Sequence, residues 1–277
     1  MTREAAGWRT FCDAGSDRQT PFDVAVVMPS IVKPGLRRAI ESVFAQSFGG
    51  TIQMLIGIDK AAGDPAVIAA TCENRPKNCV VTVFDPGYST SDRHGGLYPS
   101  HDGGALRTIL SFAANSRYIA YLDDDNWWHA DHLASLLAVI DGFDWAFSLR
   151  WLMDPETFEP LCIDDWESVG PALGVYAEKF GGFVDPNCLM IDKLACGPLL
   201  HWWTTPLPND SKRMSADRYV FNALRTSHPV AWTGRATTFY VMDPDDVVHK
   251  ARLNRIRHKR KAGTTEEIVR WAPATGK

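Results

Sequence analysis

Residues 117–128 read RYIAYLDDDNWW, and the fold turns on how that stretch is parsed. Its apolar run closes at Leu122, is too short for a globular helix, and suits a strand buried on both faces. Asp123, Asp124 and Asp125 then stand at the strand's carboxyl end, the edge of an open parallel sheet where ligands bind. Adjacent carboxylates repel one another, so a fold that gathers three of them compensates with a cation, and hard oxygen donors favour Mg²⁺ or Mn²⁺. A divalent ion there could bridge two phosphates and neutralise a departing diphosphate. The triplet also suits a plain helix cap or a solvated turn. The strand before it, with Trp127 and Trp128 after it, favours the functional reading.

Upstream, residues 23–28 (DVAVVM) form a short apolar run closed by Pro29 and Ser30, and Pro34 opens a helix over 35–46. In that helix Leu36, Ile40, Val43 and Phe44 recur at helical spacing. A second strand, IQMLIGID, ends on Asp59. Strand, helix and strand at this spacing make a right-handed crossover with its loops at the carboxyl edge. A helix over 64–74 and a third strand, NCVVTVF, follow. Residues 85–104, crowded with Gly, Ser, Asp and His, read as a mobile loop. Residues 104–116 and 129–143 read as helices, and 144–153 as a strand. Beyond these, short apolar runs alternate with Pro and Gly, and element boundaries stay open. The fold class is α/β: a Rossmann-like, mixed but mostly parallel central sheet flanked by helices.

The chain has 277 residues, 45% of them hydrophobic, enough to bury a sizeable core. A net charge of -4 gives no electrostatic reason to expect nucleic-acid binding. Ten Trp either fill the core or offer flat platforms for sugars and bases, and adjacent pairs such as Trp127/Trp128 and Trp202/Trp203 can turn only one ring each toward a ligand. The six Cys show neither a C-x-x-C pair nor zinc-type spacing, so they read as reduced thiols, as in a cytoplasmic protein. No apolar stretch suits a signal peptide or a spanning helix, and a soluble chain is expected.

Two segments, MPSIVKPGLRRAIESVFAQSF (28–48) and RYIAYLDDDNWWHADHL (117–133), together resemble the family 2 glycosyltransferases, which adopt the glycosyltransferase A fold. The likeness runs from about Phe22 to His249. It implies a metal-dependent transfer of a sugar, with inversion, from a UDP- or GDP-linked donor to an acceptor hydroxyl on a carbohydrate, a lipid-linked molecule or a small molecule. Pro29 and Ser30 would line the nucleotide pocket, and Asp59 would recognise base or ribose. Asp123 or Asp124 would face the ribose or the metal, and Asp125 would hold Mn²⁺ or Mg²⁺. SADRYVFNALR offers Asp217 as the base that takes the acceptor's proton, with Asp210 in reserve; Asp217 equally suits a helix cap. Gly181 and Gly182 match a loop that presents backbone to donor and acceptor, and His249 a ligand of the metal or diphosphate.

Arg107, with Arg93 and His94, could clasp a diphosphate. Two departures stand out: Ile31 and Val32 replace an aromatic residue and Asn, and Lys60 replaces a second acid after Asp59. The division expected is an arm over 1–21, a glycosyltransferase A-type catalytic domain over 22–250, and a basic helix or tail over 251–277. The cluster from Lys250 to Lys261 is either solvated or a peripheral contact for an anionic membrane. Homo-oligomerisation stays open. Competing readings are a catalytically silent binding relative and a sugar nucleotidyltransferase, whose Gly-rich signature after the first strand MPSIVKPG lacks.

Overall fold

A computed structural model describes residues 6–99, 103–205 and 216–261. In chain order the strands are β1 (Gly7–Phe11), β2 (Phe22–Ser30), β3 (Ile52–Ile58), β4 (Cys79–Asp85), β5 (Ser116–Tyr121), β6 (Trp127–Trp128), β7 (Trp145–Met153), β8 (Pro160–Ile163), β9 (Gly170–Pro171), β10 (Gly182–Phe183), β11 (Leu189–Asp192) and β12 (Val230–Val241). The helices are α1 (Leu36–Phe44), α2 (Ala66–Cys72), α3 (Gly104–Ala113), α4 (His132–Ile140), α5 (Ala177–Phe180), α6 (Lys193–Cys196), α7 (Ala216–Ser227) and α8 (His249–Lys261). The main sheet runs β1-β4-β3-β2-β5-β11-β7-β12-β6, with β8 on β7, while β9 and β10 form a separate short ribbon. The pairs β2–β3, β3–β4, β2–β5 and β7–β12 are parallel.

The alternation of side chains along β2 explains the two-sided core. Val24, Val26 and Met28 pack with α1, α2 and α4 on one face, whereas Ala25 and Val27 pack with α3, α7 and the 3-10 segment Gly197–Thr204 on the other. Both faces being covered, β2 and β3 read as nearly continuous apolar runs.

β11 is the topological exception. It runs antiparallel to both β5 and β7, with Met190 opposite Ala120 and also opposite Ala146. Its start therefore lies at the same edge as the end of β5, which brings Pro186–Cys188 beside the acidic triplet.

Residues 7–11, expected in a polar arm, instead form an edge strand antiparallel to β4. Trp8 stacks on Phe84 with centroids 4.5 Å apart, and Thr10 Oγ1 lies 3.2 Å from Thr82 Oγ1. An edge strand half in water carries polar residues, which is why composition alone suggested an arm. The segment expected as a mobile loop is packed at its start: Ser89, Thr90 and Ser91 are buried. All six Cys are free, five of them buried and Cys12 partly so. Among the described residues no helix is long and apolar enough to cross a membrane.

Candidate active site

The carboxyl ends of β2, β3 and β5 open into a cavity of about 310 Å³. The structure brings Pro29, Ser30, Asp59, Arg107 and all three triplet aspartates together in its lining, with Arg93 and His94. Lys33, Ser91 and Gly103 line it as well, and no sequence pattern had singled them out. Gly103 has φ 69, and a Cβ there would meet the Pro29 ring at 2.5 Å, so only glycine lets the start of α3 reach the cavity rim.

The three aspartates, though adjacent, do different work. Asp124 is 4% exposed, and its Oδ2 accepts hydrogen bonds from Ser30 Oγ at 2.7 Å, Ile31 N at 3.1 Å and Lys33 N at 3.2 Å. Ser30 Oγ in turn accepts from Val32 N at 2.8 Å. One carboxylate thus knots the loop after β2 and holds Val32 at φ 62, a region costly for a β-branched residue.

Asp123 pairs with Arg107, whose guanidinium lies 5.3 Å from the Trp203 ring centroid, and accepts from Asn187 Nδ2 at 2.8 Å. Its own backbone N–H donates to Asn187 Oδ1 at 2.6 Å. Among the described residues the ionic partner of Asp125 is Lys33, whose Nζ donates to Asp125 Oδ2 at 2.6 Å. Burial raises the Asp125 carboxyl above its ordinary range; Lys33 opposes this, and Asp123 and Asp124 add to it. Burial alone would lower the Lys33 ammonium, but Asp125, with the other two aspartates behind it, raises it on balance.

Asn187 is itself fixed from behind. Its N and Nδ2 donate to Asp185 Oδ1 at 2.9 Å and 2.7 Å. Arg150, 1% exposed on β7, then meets Asp185 at 2.6 Å, Glu167 at 2.7 Å and Asp164 at 2.8 Å. Arg252 on α8 adds Glu167 at 2.8 Å and Asp246 at 2.9 Å. Burial works against the Arg150 charge, yet Asp164 and Asp185 hold its pKa well above the ordinary value. A continuous polar chain therefore runs from α8 to the rim of the cavity.

The remaining residues fall as follows. Asp59 is buried and accepts from Thr90 N at 2.5 Å, which ties the 86–99 loop down against the cavity. Lys60 is exposed and does not line the cavity. Asp217 opens α7, accepts from Arg218 N at 2.7 Å and does not line the cavity. Its helix reaches the same side through Trp202, which packs on Tyr219 at 4.9 Å, beside the Trp203 that underlies Arg107. Asp210 lies outside the described residues.

His249 begins α8 away from the cavity lining, its Nδ1 buried and without a hydrogen-bond partner among the described residues. Gly181 and Gly182 shape the start of β10 and do not line the cavity. Trp128 and Trp203 are core residues, while Trp127 stacks on Phe239. Of the basic residues near the C-terminus, Arg255 and Lys259 both hold Asp165, at 2.7 Å and 3.0 Å.

Among the described residues no three His, Cys, Asp or Glu side chains converge on one point, so a cage built wholly of protein does not form. The donor set does fit the other common mode, in which one or two carboxylates and the substrate's phosphates share the ion. Asp125 faces the cavity half-exposed, whereas His249 lies outside the lining and is not brought to it.

No protein-family model matches the chain, and no curated protein matches it in sequence. Solved structures do match. The structure of S. aureus TarS 1–349 in complex with UDP-GlcNAc gives a TM-score of 0.54 at 10% identity, over 81% of this chain and 60% of that one. S. aureus TarS gives 0.56 at 13% identity, over 86% of this chain and 39% of that one. Mannosyltransferase PcManGT from Pyrobaculum calidifontis, in complex with GDP-Man and Mn²⁺, gives 0.53 at 12% identity, over 95% and 68%. The chain spans 60% of the length of TarS 1–349. At these identities the likeness shows the fold, which is the glycosyltransferase A fold expected from the two motifs.

Proposed function

We propose that this glycosyltransferase A-type chain moves a sugar from a nucleotide-sugar donor onto an acceptor hydroxyl. The observation that carries the reading is the cavity at the carboxyl edge, where Asp59 and the acidic triplet face Lys33, Arg93 and Arg107. Such a mixed lining suits a nucleoside diphosphate: carboxylates accept from base and ribose, and cations meet the phosphates. The TarS and PcManGT structures, which hold UDP-GlcNAc and GDP-Man, support a uridine or guanosine donor.

Asp125 would hold Mn²⁺ or Mg²⁺ together with the diphosphate, with Asp123 beside it and His249 as the nitrogen candidate. The ion would supply Lewis-acid neutralisation of the leaving diphosphate. Pro29 and Ser30 shape the floor of the cavity, Asp124 keeps the 31–33 loop in place, and Arg107 fixes Asp123. Asp217 is the proposed base that takes the acceptor's proton in an inverting displacement. The acceptor is a carbohydrate, a lipid-linked molecule or a small molecule. The engagement of Arg252, Arg255 and Lys259 by acidic partners lessens the case for membrane contact through α8. Six free thiols suit a cytoplasmic setting.

The test is isothermal titration of the chain with UDP, GDP and their sugar conjugates, in Mn²⁺ and in EDTA, repeated with Asp125→Ala. Metal-dependent binding of one nucleotide, lost in the variant, is the expected result. No binding under any condition would leave a carbohydrate- or protein-binding scaffold as the better account.

A further inference from the structure

We infer that Lys33 is the resident counter-ion of Asp125 and gives up that carboxylate only when a divalent cation arrives with a nucleoside diphosphate, so that metal and nucleotide bind this chain as a coupled pair. The inference rests on the donor reading above and adds a residue and a binding order to it.

The case begins with the allocation of charge. Asp123 is already paired with Arg107, and Asp124 is enclosed by Ser30 and the loop N–H groups. Asp125 is left facing the cavity, and Lys33 sits on it at 2.6 Å. A divalent ion that approaches without nucleotide must therefore displace an ammonium of like sign. That opposition disappears if phosphate oxygens enter at the same time and receive the ammonium.

Geometry makes the exchange feasible. The Lys33 and Asp125 side chains are 43% and 38% exposed, and a pair this open to water is only weakly held. It is the loosest of the ionic contacts at the triplet, since Arg107 is nearly buried where it meets Asp123. The backbone below it is the opposite. Lys33 N donates to Asp124 Oδ2 at 3.2 Å, and Val32 is held at φ 62 and buried. A fixed root thus carries a flexible four-carbon stem with a point charge at its tip, suited to trading a carboxylate for a phosphate within one cavity. Linkage then requires reciprocity: nucleotide strengthens metal binding by the same factor as metal strengthens nucleotide binding.

Manganese uptake by the full chain, read from loss of the free-ion electron paramagnetic resonance signal, tests this with and without UDP or GDP. The variants are Lys33→Met and Lys33→Gln, with thermal unfolding to show that both are folded. Wild type is expected to take up Mn²⁺ about tenfold more tightly with its nucleotide than without. In both variants uptake of Mn²⁺ alone should rise toward the wild-type nucleotide-bound value, while nucleotide affinity in EDTA falls. Variants whose uptake of Mn²⁺ alone matches that of wild type, or nucleotide binding that leaves wild-type Mn²⁺ uptake unchanged, would overturn this inference alone. Absence of nucleotide binding in every condition would overturn the donor reading, and the coupling with it.

Discussion

Neighbouring residues of the triplet carry opposite liabilities. Asp124 accepts three hydrogen bonds in a buried position, so Asp124→Ala strands those donors and is expected to cost about 3 kcal/mol. Asp125 is half-exposed with one open partner, so Asp125→Ala is expected to change stability by less than about 1 kcal/mol while abolishing metal-dependent binding. Urea unfolding of the two variants separates them; equal losses would contradict the division of labour.

An acid-sensitive point lies in the core. His132 is fully buried, stacks on Trp128 with centroids 4.2 Å apart, and sits 2.8 Å from Thr237 Oγ1. Burial, with His129 nearby, lowers its pKa from 6.5 to about 3. The unfolded chain therefore takes up the proton first. The stability contributed by neutral His132 is fully present above the unfolded value of 6.5 and is lost as pH falls toward about 3. His132→Phe keeps the ring stack and should flatten this part of the stability-against-pH curve, as read by denaturant midpoints across that window.

Among the elements, α8 is joined toward the cavity by charge as well as by apolar packing. Removing the hub of that chain with Arg150→Met leaves Asp164, Glu167 and Asp185 buried together, which is expected to cost about 3–5 kcal/mol. The same variant should speed amide exchange in α8 and weaken nucleotide binding through Asn187; unchanged exchange in α8 would show that the helix is held by other contacts. The sequence made β2 to β5 legible because strands covered on both faces are written in long apolar runs. It hid β1, whose GWRTF is half polar as an edge permits, and β11, whose LMID is only four residues long. Asn187 gained its place from the reversal of β11, which no local pattern announces. Lys33 and Asp125 stand 92 residues apart, and only the crossover of β2 and β5 brings them together. The place of Asp59 and the triplet at the cavity was readable because each stands at the carboxyl end of a strand.

At the scale of the molecule, the sheet has one working edge and one quiet edge. β1 runs antiparallel to β4, with Gly7 opposite Asp85 and Phe11 opposite Val81, so Cys12 emerges at the amino-terminal edge, across the sheet from the cavity. The other five thiols are buried, and burial raises the pKa of Cys72 to about 11 and those of Cys79, Cys188 and Cys196 to about 12. Since the thiolate is the reactive form, a maleimide should modify the native chain once, at Cys12. Intact-mass measurement should show a single adduct before denaturation and six after it. The unaltered sequence therefore carries its own handle for a fluorophore or a surface tether, placed where neither would obstruct the nucleotide.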